Sequence, residues 1–409
     1  MRKPELLIPA GSPEVLRVAV NYGADAVYIG GEAFGLRAKA RNFSIDEMRE
    51  GIAFAHSRGV RIYITANIFA HNEDLAEVRS YFEALRPLGP DALIISDPGV
   101  FSIAREVCPE IDIHISTQSN NTNYATYRFW HGLGAKRIVA ARELSLAEIA
   151  QIRAQIPEEL EIEAFVHGAM CISYSGRCLL SSFFAGRDAN RGACTHPCRW
   201  RYAVMEETRP GEYFPVYENE RGTYIFNSKD LCMIEHIPEL IEAGVDSFKI
   251  EGRMKTALYV ATAARTYRRA IDDYFEDPAR YAAHMDWYRE QIAACTYRPF
   301  TTGFFFGKPD SDTQIVGTNT YVKGYTYLGV IEGETADGLY RLEQKNKFSV
   351  GETIEIMKPN GDNIEVRVNR IVGEDGVDME SAPHPKQTLF IDLGHPMEEF
   401  DVLRRKERT

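Results

Sequence analysis

Eight short apolar runs, alternating with helical patterns, constrain this chain more than any other feature. The runs are Glu5–Ala10, Ala26–Gly30, Arg61–Ile68, Ala92–Asp97, Asp112–Gln118, Lys136–Ala141, Glu161–Val166 and Ser247–Glu251. Amphipathic segments lie between them at 13–22, 45–57, 74–85, 99–107, 122–131 and 146–155. Ser12-Pro13 reads as a helix start, and Ser44/Glu47 and Ser145/Glu148 read as capping boxes. Glycines 23, 59, 89, 134 and 244 stand where helices should stop. Such alternation with right-handed crossovers closes most simply into a (β/α)8, TIM-barrel-like domain. An open doubly wound sheet is the alternative. No Gly-x-Gly-x-x-Gly follows the first run, which counts against a dinucleotide-binding fold.

The regular spacing breaks once, after the seventh run, where a long insertion spans about 169–245. It should sit over the face of the barrel that carries active sites. A helix is expected at 228–243, a second after Arg253 and a third at 281–294. From 297 to 312 the composition shifts toward Pro and Gly, and beyond it short strands are expected at 327–332, 339–344, 353–357, 364–371 and 388–393. They suggest a small closed antiparallel β-barrel. The expected organisation is a catalytic domain over 1–305 and a C-terminal domain over 315–409. With 409 residues, 44% hydrophobic and 26% charged, the chain can bury a large core. No apolar run reaches a membrane span, and the start does not read as a secretory signal, so a cytoplasmic protein is expected. The net charge of −12 argues against broad nonspecific nucleic-acid binding but allows a local basic face.

Four of the seven cysteines, Cys171, Cys178, Cys194 and Cys198, fall between residues 163 and 201, and Cys232 lies further along the same insertion. In a reducing compartment such clustering points to metal or redox chemistry rather than disulfides. Only the last pair has the tight spacing of a zinc knuckle. From spacing alone an iron–sulfur cluster, zinc and unligated thiols all remain open, and His167 and His196 keep a mixed Cys/His zinc site in view. Cys108, Cys232 and Cys295 stand alone on expected helices and read as small buried apolar residues. Five arginines (177, 187, 191, 199 and 201) surround the thiols against one acid, Asp188. Tyr174, Phe183, Phe184 and Trp200 lie among them. A further basic run, Arg253 to Arg269, carries no acid and offers a second phosphate-binding path.

Polar residues gather at the ends of the runs: Asn67, Asp97, Gln118, Arg142, Glu143, His167, Lys249, Glu251 and Arg253. In a barrel they point into one mouth. Ser116 and Gln118 should share one strand face, as should Lys249 and Glu251. Two arginines and a lysine there would suit a small carboxylate. The plain alternative is an ion-pair layer filling the barrel. No His-Glu-x-x-His, Gly-x-Ser-x-Gly or P-loop is present.

The stretch from Glu163 to Cys178, EAFVHGAMCISYSGRC, resembles the signature of peptidase family U32, the collagenase-like proteases. Residues 190–199, 222–231 and 247–253 resemble its other blocks, as do Leu6–Ser12 and Gly23–Ile29. Within the family the pattern is most similar to the tRNA uridine 5-hydroxylation proteins. The resemblance implies oxygen-independent, prephenate-dependent hydroxylation of the tRNA wobble uridine to 5-hydroxyuridine. It also implies a four-iron four-sulfur cluster (4Fe-4S) on Cys171, Cys178, Cys194 and Cys198, with zinc as the alternative. His167, Arg142, Lys249 and Glu251 become candidate catalytic residues. Asn67, Gln118, Arg177, Arg199, Arg201 and Arg253 become candidate substrate-binding residues. The expected partners are tRNA and a small carboxylate co-substrate, with no membrane, and either a paralogous partner or a homodimer. A metal-dependent peptidase and a ribosomal-RNA hydroxylase are the competing functions.

Overall fold

The computed structural model describes residues 2–32, 42–171, 173–200, 203–205, 213–215, 229–307 and 322–407. Arg201 lies outside these residues, as does the side chain of Arg199. By contact the chain groups into two compact units. One takes residues 1–13, 25–254 and 298–321, and the other 14–24, 255–297 and 322–409.

The first unit is built on parallel strands β1 (Glu5–Pro9), β2 (Ala26–Gly30), β3 (Arg61–Ala66), β4 (Ala92–Ile95), β5 (Asp112–Ile115), β6 (Arg137–Val139) and β7 (Glu161–Ala169). Two short strands follow, β8 (Ala203–Met205) and β9 (Tyr213–Pro215), then β10 (Asp230–Cys232) and β11 (Ser247–Ile250). β1 through β7 pair in sequence order, β11 pairs with β1, and β11 also pairs with β7. That last pairing closes an eight-stranded parallel barrel and excludes the open sheet. Nearly every barrel-strand residue is buried, as strands covered on both faces require. Leu7, Ala26, Tyr28, Tyr63, Ala92 and Ile94 form one interior cluster.

The helix signals hold. Ser44 and Glu47 close a capping box on the helix Ile45–His56, and Ser145 and Glu148 do so on Leu146–Arg153. The strands end earlier than the apolar runs do. β3 stops at Ala66 and β5 at Ile115, so Gln118 lies in the 3-10 turn Thr117–Ser119 and not on a strand. The helix expected at 228–243 is shorter than that. Asp230–Cys232 extends instead as β10, antiparallel to β7 with Cys232 opposite His167, and only Ile237–Glu242 is α-helical. Asp230 is held there by Arg298, which donates through Nη2 at 2.8 Å. Cys232 is therefore a half-buried strand residue, whereas Cys108 and Cys295 are buried as expected.

In the second unit, antiparallel strands at Tyr325–Glu334, Tyr340–Glu343, Thr353–Met357, Ile364–Arg367, Arg370–Gly373, Asp378–Met379, Thr388–Asp392 and Val402–Lys406 form one sheet. It curls into a half-barrel. Leu328, Ile331, Leu342, Phe348, Ile354, Ile356, Leu389, Ile391 and Leu403 fill its core. The long helix Ala257–Glu276 belongs to this unit. The helix expected at 281–294 is two helices, Pro278–Ala283 and Met285–Ala293, which meet at His284.

Candidate active site

The two ends of the barrel do different things. Glu5, Arg61, Arg137, Glu161 and Ser247 are the first residues of β1, β3, β6, β7 and β11. The Arg137 guanidinium donates to Glu161 at 2.6 and 2.8 Å, to Glu5 at 2.5 and 3.2 Å, and to Glu163 at 3.1 Å. Tyr63 and Ser247 donate to Glu5 at 2.7 and 2.9 Å, and Arg61 pairs with it from the rim. Burial works to raise the Glu5 carboxyl, but Arg137 and Arg61 outweigh it and hold it below the usual carboxylate range. The same carboxylates raise Arg137 well above its ordinary value against the opposing effect of burial. His114, edge-on to Tyr63 at 4.6 Å, is held neutral by burial first and by Arg137 and Lys249 second. This end is a buried ionic plug, built from residues at the strand starts that the sequence reading did not single out.

Above it lies a cationic tier. Lys249 donates to Glu163 at 2.6 Å and stands 4.6 Å from the Tyr28 ring and 5.3 Å from that of Phe165. Arg142 lies 4.1 Å over Phe165 and reaches Glu251 at 3.3 Å. Lys249 and Glu251 thus serve different partners, and β11 ends between them. Burial raises the neighbouring Glu143 carboxyl, which Arg142 opposes. His167 is buried near the end of β7; its carbonyl accepts from the Glu251 N–H at 2.8 Å, and its ring is 5.7 Å from Phe300. Arg253, also buried, donates to Thr65 at 2.6 Å. Gly30 makes room for it, because a Cβ there would stand 2.0 Å from Nη1 of Arg253.

A third group surrounds Gln118. Its Oε1 accepts from Asn67 at 2.7 Å, Ser116 at 3.0 Å and Ser96 at 3.1 Å. Ser116 and Gln118 meet as expected, through the turn rather than a strand face. Asp97 is spent as a helix cap, accepting from Gly99 and Val100 N–H. Sequence reasoning missed Thr65, Ser96, Tyr28 and Phe165. Thr65, Ser96 and Phe165 are each one or two residues from a candidate that it did single out, Tyr28 is not, and only barrel closure shows which of them face the site.

The cysteine-bearing segment is tied across this mouth. Asn120 donates to the Ser175 carbonyl at 3.1 Å, and the Phe69 N–H donates to the Asn190 carbonyl at 3.4 Å. Arg191 pairs with Asp74 at 2.8 Å and Glu73 at 3.4 Å. Gly176 adopts φ +72°, and a Cβ there would meet the Phe69 ring at 2.7 Å and Gln118 Cβ at 3.3 Å. Arg177 lines a cavity of about 430 Å³ with Asn120, Thr122, Ser173 and Tyr174. The four thiols are not paired in disulfides, with Cys171 exposed and the others half-buried. Thr195, beside Cys194, bonds Ser181, three residues after Cys178, at 3.1 Å. The His196 N–H donates to Cys194 Sγ at 3.4 Å. The donor set, four thiols on one segment with an N–H···S bond to Cys194, fits a thiolate-held centre in its chemistry. Among the described residues, no three Cys, His, Asp or Glu side chains are gathered to hold a metal.

The second basic path is not free for phosphate. Arg265 is buried and donates to the Lys358 carbonyl and to Gln291. Arg268 pairs with Asp272, and Arg269 pairs with Asp273 and lies 4.2 Å over Trp287.

A closed parallel barrel with an ionic plug at one end and converging cationic, amide and carboxylate groups at the other defines a barrel protein whose chemistry belongs at that mouth. A model of Peptidase family U32 matches residues 11–315, and one of the Peptidase family U32 C-terminal domain matches residues 323–404. The chain belongs to peptidase family U32. It is 40% identical over 405 residues to "tRNA hydroxylation protein P1" of Bacillus subtilis (strain 168), covering 99% of this chain and 95% of that one. To "tRNA hydroxylation protein P" of Escherichia coli (strain K12) it is 38% identical, covering 97% and 95%. To "Collagenase" of Porphyromonas gingivalis (strain ATCC BAA-308 / W83) it is 32% identical, covering 90% and 89%.

Proposed function

We propose that this chain is a tRNA-modifying enzyme that hydroxylates the wobble uridine to 5-hydroxyuridine at the barrel mouth, without oxygen and with prephenate as co-substrate. The observation that carries the reading is likeness over nearly the full length to proteins named for tRNA hydroxylation. The mouth supports it. Arg142, Lys249 and Arg253 offer three buried or half-buried cations for a small dicarboxylate. Each is already positioned, by Glu251, Glu163 and Thr65 respectively. Burial raises the Glu143 carboxyl beside this tier, against the opposing pull of Arg142. Asn67 and Gln118 offer amide groups at the rim for a base edge. A uridine in an anticodon loop must be splayed out to reach this depth.

Cys171, Cys178, Cys194 and Cys198 would hold a 4Fe-4S cluster. When bound, it would supply electron transfer beside the mouth.

The relative named Collagenase keeps a peptidase reading alive. The two part on one experiment: the nucleoside profile of tRNA from a strain lacking this gene, set beside gelatin cleavage by the clean protein. Loss of 5-hydroxyuridine-derived nucleosides, with no cleavage, is expected. An unchanged profile, with cleavage abolished by His167→Ala, would establish the peptidase instead.

A further inference from the structure

We propose that the cavity between the cysteine-bearing segment and the β5 end is a nucleotide-binding subsite, in which Tyr174 stacks on an unpaired RNA base and Arg177 holds the adjoining phosphate. This deepens the tRNA reading and rests on it. The cavity measures about 430 Å³ and is lined by Asn120, Thr122, Ser173, Tyr174 and Arg177. That volume is in the range of small-ligand sites. Its walls are fixed: the Asn120 amide donates to the carbonyls of Gln118 at 2.8 Å and Ser175 at 3.1 Å, and Gly176 is packed against Phe69 and Gln118. The site therefore adjoins the Gln118 cluster.

Two features select a nucleotide over a second small carboxylate. First, the cavity has a single cation. Arg177 makes no ion pair among the described residues, whereas the Arg142, Lys249 and Arg253 tier has the cations a dicarboxylate needs. Second, the same cysteine-bearing segment carries further exposed rings. Tyr174 is 46% exposed, Phe183 81%, Phe184 45% and Trp200 45%. Exposed rings beside guanidinium groups are what a single-stranded polynucleotide stacks on, and a small molecule has no use for the extra rings. Thr122 and Ser173 add hydroxyls to the lining, groups that can pair with a base edge or a ribose 2′-OH.

The test is fluorescence anisotropy with a labelled anticodon stem-loop RNA and anaerobically prepared full-length protein. Tyr174→Ala should weaken binding about five- to a hundredfold, the effect of losing one base–aromatic stack. Tyr174→Phe, which keeps the ring and controls for folding, should bind within about twofold of the wild type. Arg177→Ala should lower the salt slope by about one. Wild-type affinity and slope in both alanine variants would overturn the subsite while leaving the tRNA reading standing. Failure of the wild type to bind RNA at all would overturn both. Loss of prephenate binding in Tyr174→Ala, with RNA affinity unchanged, would assign the cavity to the co-substrate and overturn the proposal.

Discussion

Replacing Arg137 with Met should destabilise the barrel by about 4 kcal/mol at pH 8, within the range for removing one partner of a buried ion pair. The side chain is 2% exposed and makes five hydrogen bonds to three carboxylates. Methionine fills the volume, so the loss is electrostatic rather than a cavity. The carboxylates are not equally stranded. Glu5 keeps Arg61, Tyr63 and Ser247, and Glu163 keeps Lys249, but among the described residues Glu161 keeps only Arg2, which is 72% exposed on the surface. The loss should shrink with acid. Arg137 helps hold the Glu5 carboxyl below 4.5, so its contribution is present above that pH and lost as pH falls through the lowered value. The variant lacks that contribution, and wild type and variant therefore converge only below pH 4.5. Urea unfolding followed by far-UV circular dichroism at pH 8 and about pH 3 measures both losses. A loss below about 1 kcal/mol at pH 8, or an equal loss at the two pH values, would refute the plug as a buried ionic layer.

Three further outcomes follow from the same geometry. His114 is held neutral in the fold, well below 6.5, so its contribution to stability is present above 6.5 and lost as pH falls below it; the wild type should lose about 1 kcal/mol from this group between pH 7 and pH 5.5, and His114→Leu should lack that share of the pH dependence in denaturant titrations. Gly176→Ala should cost about 1–2 kcal/mol, since φ +72° and the Phe69 ring both reject a Cβ, and unaltered stability in thermal melts would contradict the packing described for the segment. Anaerobically purified protein should be brown and carry iron and sulfide, lost on Cys178→Ser; stoichiometric zinc without iron would remove the cluster from the account.

Much of the fold was legible because its signals are local. Ser44 and Ser145 cap helices wherever the chain goes, and eight buried apolar runs pack in few ways. What escaped depends on partners distant in sequence. Arg137 follows Lys136 at a strand start, and nothing local marks which is inside; Arg137 is buried and Lys136 exposed because the barrel closes over its first layer. Val402–Lys406 lies outside the expected strands but is a strand within the sheet, with Arg404 buried against Glu355 at 2.8 Å and lying over Tyr325. Asp230–Cys232 has helical neighbours but is pulled straight by β7 and by Arg298. Residues 14–24 and 255–297 group with the C-terminal strands, which no single linear boundary expresses. The mouth residues Arg142, Lys249, Glu251 and Arg253 were found because strand ends in a barrel converge. Their pairings were not, since whether Lys249 meets Glu163 or Glu251 depends on where β11 stops. The Arg253–Arg269 run misled for the opposite reason: its acids lie four residues downstream, at Asp272 and Asp273.

The central claim is that the barrel mouth, with its Arg142–Glu251 and Lys249–Glu163 pairs, is where a tRNA uridine is hydroxylated. The direct measurement is mass spectrometry of tRNA nucleosides from a strain lacking this gene, complemented with the wild type or with Arg142→Ala. Arg142 is half-buried and stacked on Phe165 rather than built into the ionic plug, so its loss should leave the fold and RNA binding intact. The account predicts that the wild type restores 5-hydroxyuridine-derived nucleosides and that Arg142→Ala, expressed at the same level and still binding tRNA, does not. Full restoration by Arg142→Ala would place the reaction elsewhere.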